Sequence, residues 1–141
     1  MELRNILLVE DNADDEQLIL MSLKAAKIGN EITVARDGRE ALDLLLGKPG
    51  EEPPVLPAVV LLDLHLPKID GLDVLAALRA EPRTKLLPVV VLTSSDEERD
   101  RVESYGRGCN SYVCKPVDFK QFSSAVKELG LYWLLLNQPP Q

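Results

Sequence analysis

The segment Ala58-Val59-Val60-Leu61-Leu62 is five consecutive apolar residues cut off by a carboxylate, Asp63. A run this short and this continuous fits a strand buried on both faces, the condition of a parallel sheet covered by helices. The pattern recurs along the chain. Leu3–Val9 closes on Glu10 and Asp11, Pro88–Leu92 closes on Thr93, and Ser111–Cys114 closes on Lys115; Glu31–Ala35 supplies one further strand.

Between these runs the apolar spacing changes to that of helices. Asp14–Lys27 carries Leu18, Met21, Ala25 and Ile28 at helical intervals, and Asp37 is placed to cap a short helix over Gly38–Leu46. Gly71–Ala80 carries Leu72, Leu75 and Leu78. A polar helix opens near Asp96 and ends by Gly106 or Gly108, and Asp118 caps a last helix from Phe119. Pro and Gly in Gly47-Lys48-Pro49-Gly50-Glu51-Glu52-Pro53-Pro54 exclude regular structure there. Five strands alternating with five helices predict an α/β fold, a doubly wound five-stranded parallel sheet flanked by five helices.

The chain has 141 residues, enough for one domain whose core needs no disulfide. Its net charge of −7 argues against a nucleic-acid partner, because an acidic surface repels phosphate backbones. Cys109 and Cys114 fit neither a zinc pattern nor a redox motif and are expected to be free thiols packed as small apolar groups. The uninterrupted apolar run before Glu10 is only four residues, Ile6 to Val9, too few for a signal sequence or a membrane span. The expected compartment is the cytoplasm, with no membrane contact.

In an open parallel sheet, ligands bind beyond the carboxyl ends of the strands. Four separate segments deliver polar groups to that rim: Glu10 and Asp11, Asp63, Thr93, and Lys115. Three carboxylates brought together repel one another unless a cation lies among them, and hard oxygen donors select Mg2+ or Mn2+. A carboxylate can also accept a phosphoryl group as a covalent acyl phosphate. That transfer needs positioning and neutralisation of the phosphoryl oxygens, which a metal, an ammonium and a hydroxyl supply.

Leu7-Leu8-Val9-Glu10-Asp11-Asn12, Leu61-Leu62-Asp63-Leu64-His65-Leu66-Pro67-Lys68-Ile69-Asp70-Gly71, Val91-Leu92-Thr93-Ser94 and Lys115-Pro116 together resemble the receiver domains of two-component response regulators. The intervals of 30 residues from Asp63 to Thr93 and 22 from Thr93 to Lys115 are similar to that family's. The resemblance covers residues 3 to 129 and implies a flavodoxin-like strand order of 2-1-3-4-5. It implies that Asp63 is the phosphoacceptor and that Glu10, Asp11, Asp63 and the backbone carbonyl of His65 hold the metal. Lys115 would contact the phosphoryl group, and Thr93 and Tyr112 would turn inward on activation. The face that changes would be that of the fourth helix, fifth strand and last helix. The Lys115-Pro116 bond would be cis. Glu10 stands where many members carry Asp, and either acid serves as ligand.

The proline-bearing 47–57 loop, Leu64-His65-Leu66-Pro67-Lys68, Lys115-Pro116-Val117-Asp118 and Tyr132-Trp133 further resemble small regulators paired with bacterial phytochromes. This implies a phytochrome-type sensor histidine kinase as phosphodonor. Phe119, Phe122, Val126, Leu129, Trp133 and Leu136 form one apolar seam, while Leu131, Tyr132, Leu134 and Leu135 lie off it. Residues 1–129 are therefore read as the receiver, and 130–141 as an extension of the last helix that carries a homodimer contact over 130–136.

Two rivals share the fold. A flavin carrier would need a phosphate-cradling loop after the first strand, but Glu10-Asp11-Asn12-Ala13-Asp14-Asp15 would repel phosphate. An aspartyl-phosphate hydrolase would want an acid two positions after the nucleophile, where His65 stands. A scaffold receiver that is never phosphorylated is disfavoured because every chemical position is filled.

Overall fold

A computed structural model describes residues 5–25, 30–93, 98–109 and 111–114. Five strands, β1 (Ile6–Val9), β2 (Ile32–Ala35), β3 (Val59–Leu62), β4 (Val89–Thr93) and β5 (Ser111–Cys114), form one parallel sheet in the order β2-β1-β3-β4-β5. Four described helices join them: α1 (Ala13–Ala25), α2 (Gly38–Leu46), α3 (Gly71–Ala80) and α4 (Glu98–Gly106). The expected architecture and strand order are those observed.

Alternation along the strands builds two cores. Leu7, Val9, Val60, Leu62, Val89 and Val91 face Ala41 and Leu45 of α2 and Val74, Leu75 and Leu78 of α3. Ile6, Leu8, Val59, Leu61, Val90 and Leu92 face the other way, toward Ile19 and Leu23 of α1. The crossover from β1 to β2 and that from β3 to β4 run in opposite directions across the sheet. With right-handed connections their helices must lie on opposite faces, as α1 and α3 do.

The helix over α1 forms as its spacing predicts, but Leu18 and Met21 do not lie on its buried face: Leu18 is 41% exposed and Met21 56%, whereas Ile19 and Leu23 are 1%. Leu18-Ile19-Leu20-Met21 is apolar nearly all round the helix, so spacing alone does not choose a face. The i, i+4 pair Ile19 and Leu23 is the one that meets the sheet.

The helix starts are fixed locally. The Asn12 side chain accepts from the Asp15 amide (2.9 Å) and opens α1, whose first turn holds Asp14, Asp15 and Glu16 against the positive helix end. Asp37 caps α2 as expected, its Oδ1 accepting from the Glu40 amide at 2.8 Å. Gly47 closes α2 at φ +79°, a conformation glycine adopts without strain.

Two features have no signal in the sequence. Thr84 is fully buried and donates to the Leu78 carbonyl at 2.6 Å. Arg79 donates to the carbonyls of Gly108 (2.8 Å), Thr84 and Lys85 (both 3.0 Å), tying the end of α3 to the turn after α4. Cys109 is a buried free thiol. Lys115, the Lys115-Pro116 bond, the last helix and the 130–136 contact lie outside the described residues.

Candidate functional site

The sheet order sets the site. β1 and β3 are neighbours from which the chain departs in opposite directions, so their carboxyl ends open a crevice that no crossover covers. The ladder continues one residue past each strand. The Asp63 amide donates to the Val9 carbonyl (3.1 Å) and the Glu10 amide to the Ala35 carbonyl (2.9 Å), which fixes both backbones at the rim.

From this rim Glu10, Asp11 and Asp63 each direct one carboxylate oxygen to a common point, all within 4.8 Å of one another. Glu10 is 1% exposed and Asp63 7%, while Asp11 faces solvent. Buried carboxylates are costly without compensating donors or cations. Backbone amides provide part of that compensation: Asn12 donates to Glu10 Oε2 at 3.2 Å and His65 to Asp63 Oδ1 at 3.3 Å. An all-oxygen, all-carboxylate donor set with one solvent-facing member suits a small hard divalent ion that keeps part of its water shell.

The turn after Asp63 is built by close backbone approaches. The Gly71 amide donates to the Leu64 carbonyl at 2.8 Å, and a Cβ on Gly71 would stand 2.3 Å from the Asp63 carbonyl oxygen. Only glycine permits α3 to begin against this loop. At the loop's far end the Ile69 amide donates to the Pro67 carbonyl at 2.8 Å, closing a γ-turn about Lys68 with φ +68°. That hand of γ-turn is rare, and a non-glycine residue at positive φ costs on the order of 1 kcal/mol or more.

The α2 N-terminus supports this turn. The Gly38 amide donates to the Pro67 carbonyl (3.3 Å), and a Cβ on Gly38 would fall 2.1 Å from the Ile69 carbonyl oxygen. Lys68 Nζ lies 3.4 Å from Asp37 Oδ2. The Glu40 amide hydrogen bond, followed by the Lys68 ammonium, holds the Asp37 carboxyl below the usual aspartate range. The motif after Asp63 contains Lys68 and Gly71 but gives neither a role in the site, and Gly38 lies outside it. The dipeptides Asp37-Gly38 and Asp70-Gly71 carry the available signal, because an Asp-Gly pair marks a turn.

The other expected site residues are placed as follows. Thr93 ends β4, in register with Cys114 of β5, at the same rim. Tyr112 pairs with Val91 within the sheet. His65 is exposed and meets Asp63 through its backbone amide. Lys115 follows directly on β5 but lies outside the described residues.

Fold and site together define a doubly wound α/β protein with a cluster of three carboxylates at the mouth of its parallel sheet. Residues 6–127 match the response regulator receiver domain, and the chain belongs to this family of phosphoacceptor switches. It is 41% identical to a protein named Probable methanogenesis regulatory protein FilR2 of Methanothrix harundinacea, covering 96% of this chain and 86% of that one. It is 40% identical to response regulator Rcp1 of Synechocystis, over 92% and 88% of the two chains.

Solved structures agree. The Mn2+-bound form of Rcp1 superposes with a TM-score of 0.84 at 38% identity, covering 98% of this chain and 99% of that one. The phosphorylated cyanobacterial phytochrome response regulator RcpA gives 0.86 at 37%, with 99% of each chain covered. The bacteriophytochrome response regulator AtBRR gives 0.74 at 51%, covering 98% of this chain and all (100%) of that one. The receiver reading and the likeness to phytochrome-associated regulators therefore stand. Among the described residues, no helix is long and apolar enough to cross a membrane.

Proposed function

We propose that Asp63 is the phosphoacceptor of this receiver and takes its phosphoryl group from a phosphohistidine on a sensor histidine kinase. The observation that carries this reading is the convergence of Glu10, Asp11 and Asp63 within 4.8 Å at the β1–β3 crevice. An Asp63 carboxylate oxygen attacks phosphorus in line, forming the O–P bond as the N–P bond breaks and the kinase imidazole leaves. Glu10, Asp11, Asp63 and the His65 carbonyl would hold Mg2+ or Mn2+, which supplies charge neutralisation to the phosphoryl oxygens. The Mn2+ of the Rcp1 structure supports that choice of ion.

Lys115 neutralises a second oxygen as a point charge, and the Thr93 hydroxyl donates to a third. Thr93 and Tyr112 then settle inward, and the face of α4, β5 and the last helix changes for a partner. The chain assists its own phosphorylation and dephosphorylation and turns over no other substrate. It acts in the cytoplasm, without nucleic acid or membrane. A phytochrome-type kinase is the favoured donor, supported by RcpA and AtBRR. The receiver is assigned to 1–129, and residues 130–136, with the last helix, carry a homodimer contact.

Hydroxylamine tests the bond type. An acyl phosphate formed with Mg2+ and a small phosphodonor is cleaved by neutral hydroxylamine, whereas a serine or threonine ester survives. Survival of the label would place the phosphate elsewhere and end this reading.

A further inference from the structure

We propose that the Asp37–Gly38 corner at the start of α2 is a positioning element for the phosphorylation site, with Lys68 as its latch. The inference rests on Asp63 as the phosphoacceptor and adds the residues that hold its loop in place. Three contacts join the corner to the loop that follows Asp63, the first being the Gly38 amide donating to the Pro67 carbonyl at 3.3 Å. Gly38 lies so close under Ile69 that a Cβ would stand 2.1 Å from the Ile69 carbonyl oxygen, and Asp37 pairs with Lys68 at 3.4 Å. At the other end of the same loop, the His65 amide donates to Asp63 Oδ1 and the Leu64 carbonyl accepts from Gly71. The γ-turn at Lys68, with φ +68°, lies between these anchors.

A lysine has no intrinsic reason to adopt that backbone conformation, so contacts around it must hold it there. Asp37 is suited to this because one oxygen, Oδ1, is committed to the Glu40 amide while the other, Oδ2, faces the Lys68 ammonium. The carboxylate is thereby fixed to the helix and presented to the turn. The Lys68 side chain is 66% exposed, so its pair is a weak contact that adjusts the loop, and the Gly38–Ile69 packing is the stronger one.

The sign of one effect separates positioning from plain electrostatics. A lysine near a cation site repels the cation, so removing its charge by Lys68→Met should tighten Mn2+ binding if charge alone acts. If Lys68 holds the loop, the same variant should weaken binding. Titration calorimetry of the full chain with Mn2+ is the measurement, with thermal melts confirming that each variant is folded. We expect Lys68→Met to weaken Mn2+ by about threefold, the scale of an exposed ion pair. Lys68→Gly, which accepts positive φ without a latch, should return to the wild-type affinity. Gly38→Ala should weaken Mn2+ by about tenfold, as loss of a supporting contact to a metal site does. Equal or tighter binding by Lys68→Met would overturn the proposal, as would a Gly38→Ala variant that binds normally. An Asp63→Asn variant that still gains phosphate would instead refute the underlying choice of phosphoacceptor, whatever the corner variants do.

Discussion

Gly71 sits against Asp63 with no room for a side chain: a Cβ there would meet the Asp63 carbonyl oxygen at 2.3 Å and the Leu64 Cα at 2.6 Å. The first turn of α3 is thus packed directly against the backbone that carries Asp63. Alanine is the better helix former by about 1 kcal/mol, yet the clash is with backbone, which cannot swing aside as a long side chain would. Gly71→Ala is expected to destabilise the protein by about 2 kcal/mol net. Its melting temperature should fall by roughly 5 °C, and its phosphorylation by a small phosphodonor should slow even where it is folded. A rise in melting temperature would show that helix propensity outweighs the contact.

The Asp37 carboxyl is held below its ordinary value by the Glu40 amide first and by Lys68 after it. A carboxyl with a lowered folded pKa stabilises the protein fully above its unfolded pKa and loses that contribution as pH falls through the folded value. Asp37→Ala should therefore melt lower than wild type at neutral pH, and the gap should close in acid below the ordinary aspartate range. A gap independent of pH would assign the loss to something other than the charged cap.

Burial raises the Cys109 thiol to about 11, against a smaller opposing pull from Arg79. At pH 8 it should stay protonated and resist alkylation in the native protein, reacting only after denaturation. Peptide mapping after iodoacetamide treatment distinguishes it from Cys114. Because its folded pKa is raised, the stabilising effect is present below the thiol's ordinary pKa and is lost as pH rises toward about 11. Rapid labelling of the native thiol would contradict the packing described for it.

Mg2+ or Mn2+ should raise the melting temperature of the wild type by binding only the folded state. Asp11→Asn, which changes the solvent-facing member of the acidic cluster, should weaken Mn2+ by at least about tenfold and remove most of that rise. An unchanged metal-induced shift would move the cation away from this crevice.

Much of the fold is legible in the amino-acid sequence. The strands can be read because short apolar runs ending on Asp63, Glu10 and Thr93 leave few alternatives, and β5 and α3 begin and end where their residues predict. Asp37 is legible as a cap because its side chain acts on its own neighbours. The buried face of α1 is not, since an apolar circumference carries no direction until the sheet selects Ile19 and Leu23. The acidic cluster can be inferred from strand ends, but the supports around it cannot. The Lys68 turn, the Gly38–Ile69 approach and the Arg79 bonds to three carbonyls all depend on tertiary closeness, which residue spacing does not encode.

The assignment of one phosphoryl group to Asp63 is checked by intact mass after incubation with Mg2+ and a small phosphodonor, with Asp63→Asn and an EDTA control alongside. The wild type should gain a single phosphoryl increment, absent from both controls. An increment that persists in Asp63→Asn, or that forms equally in EDTA, would contradict it.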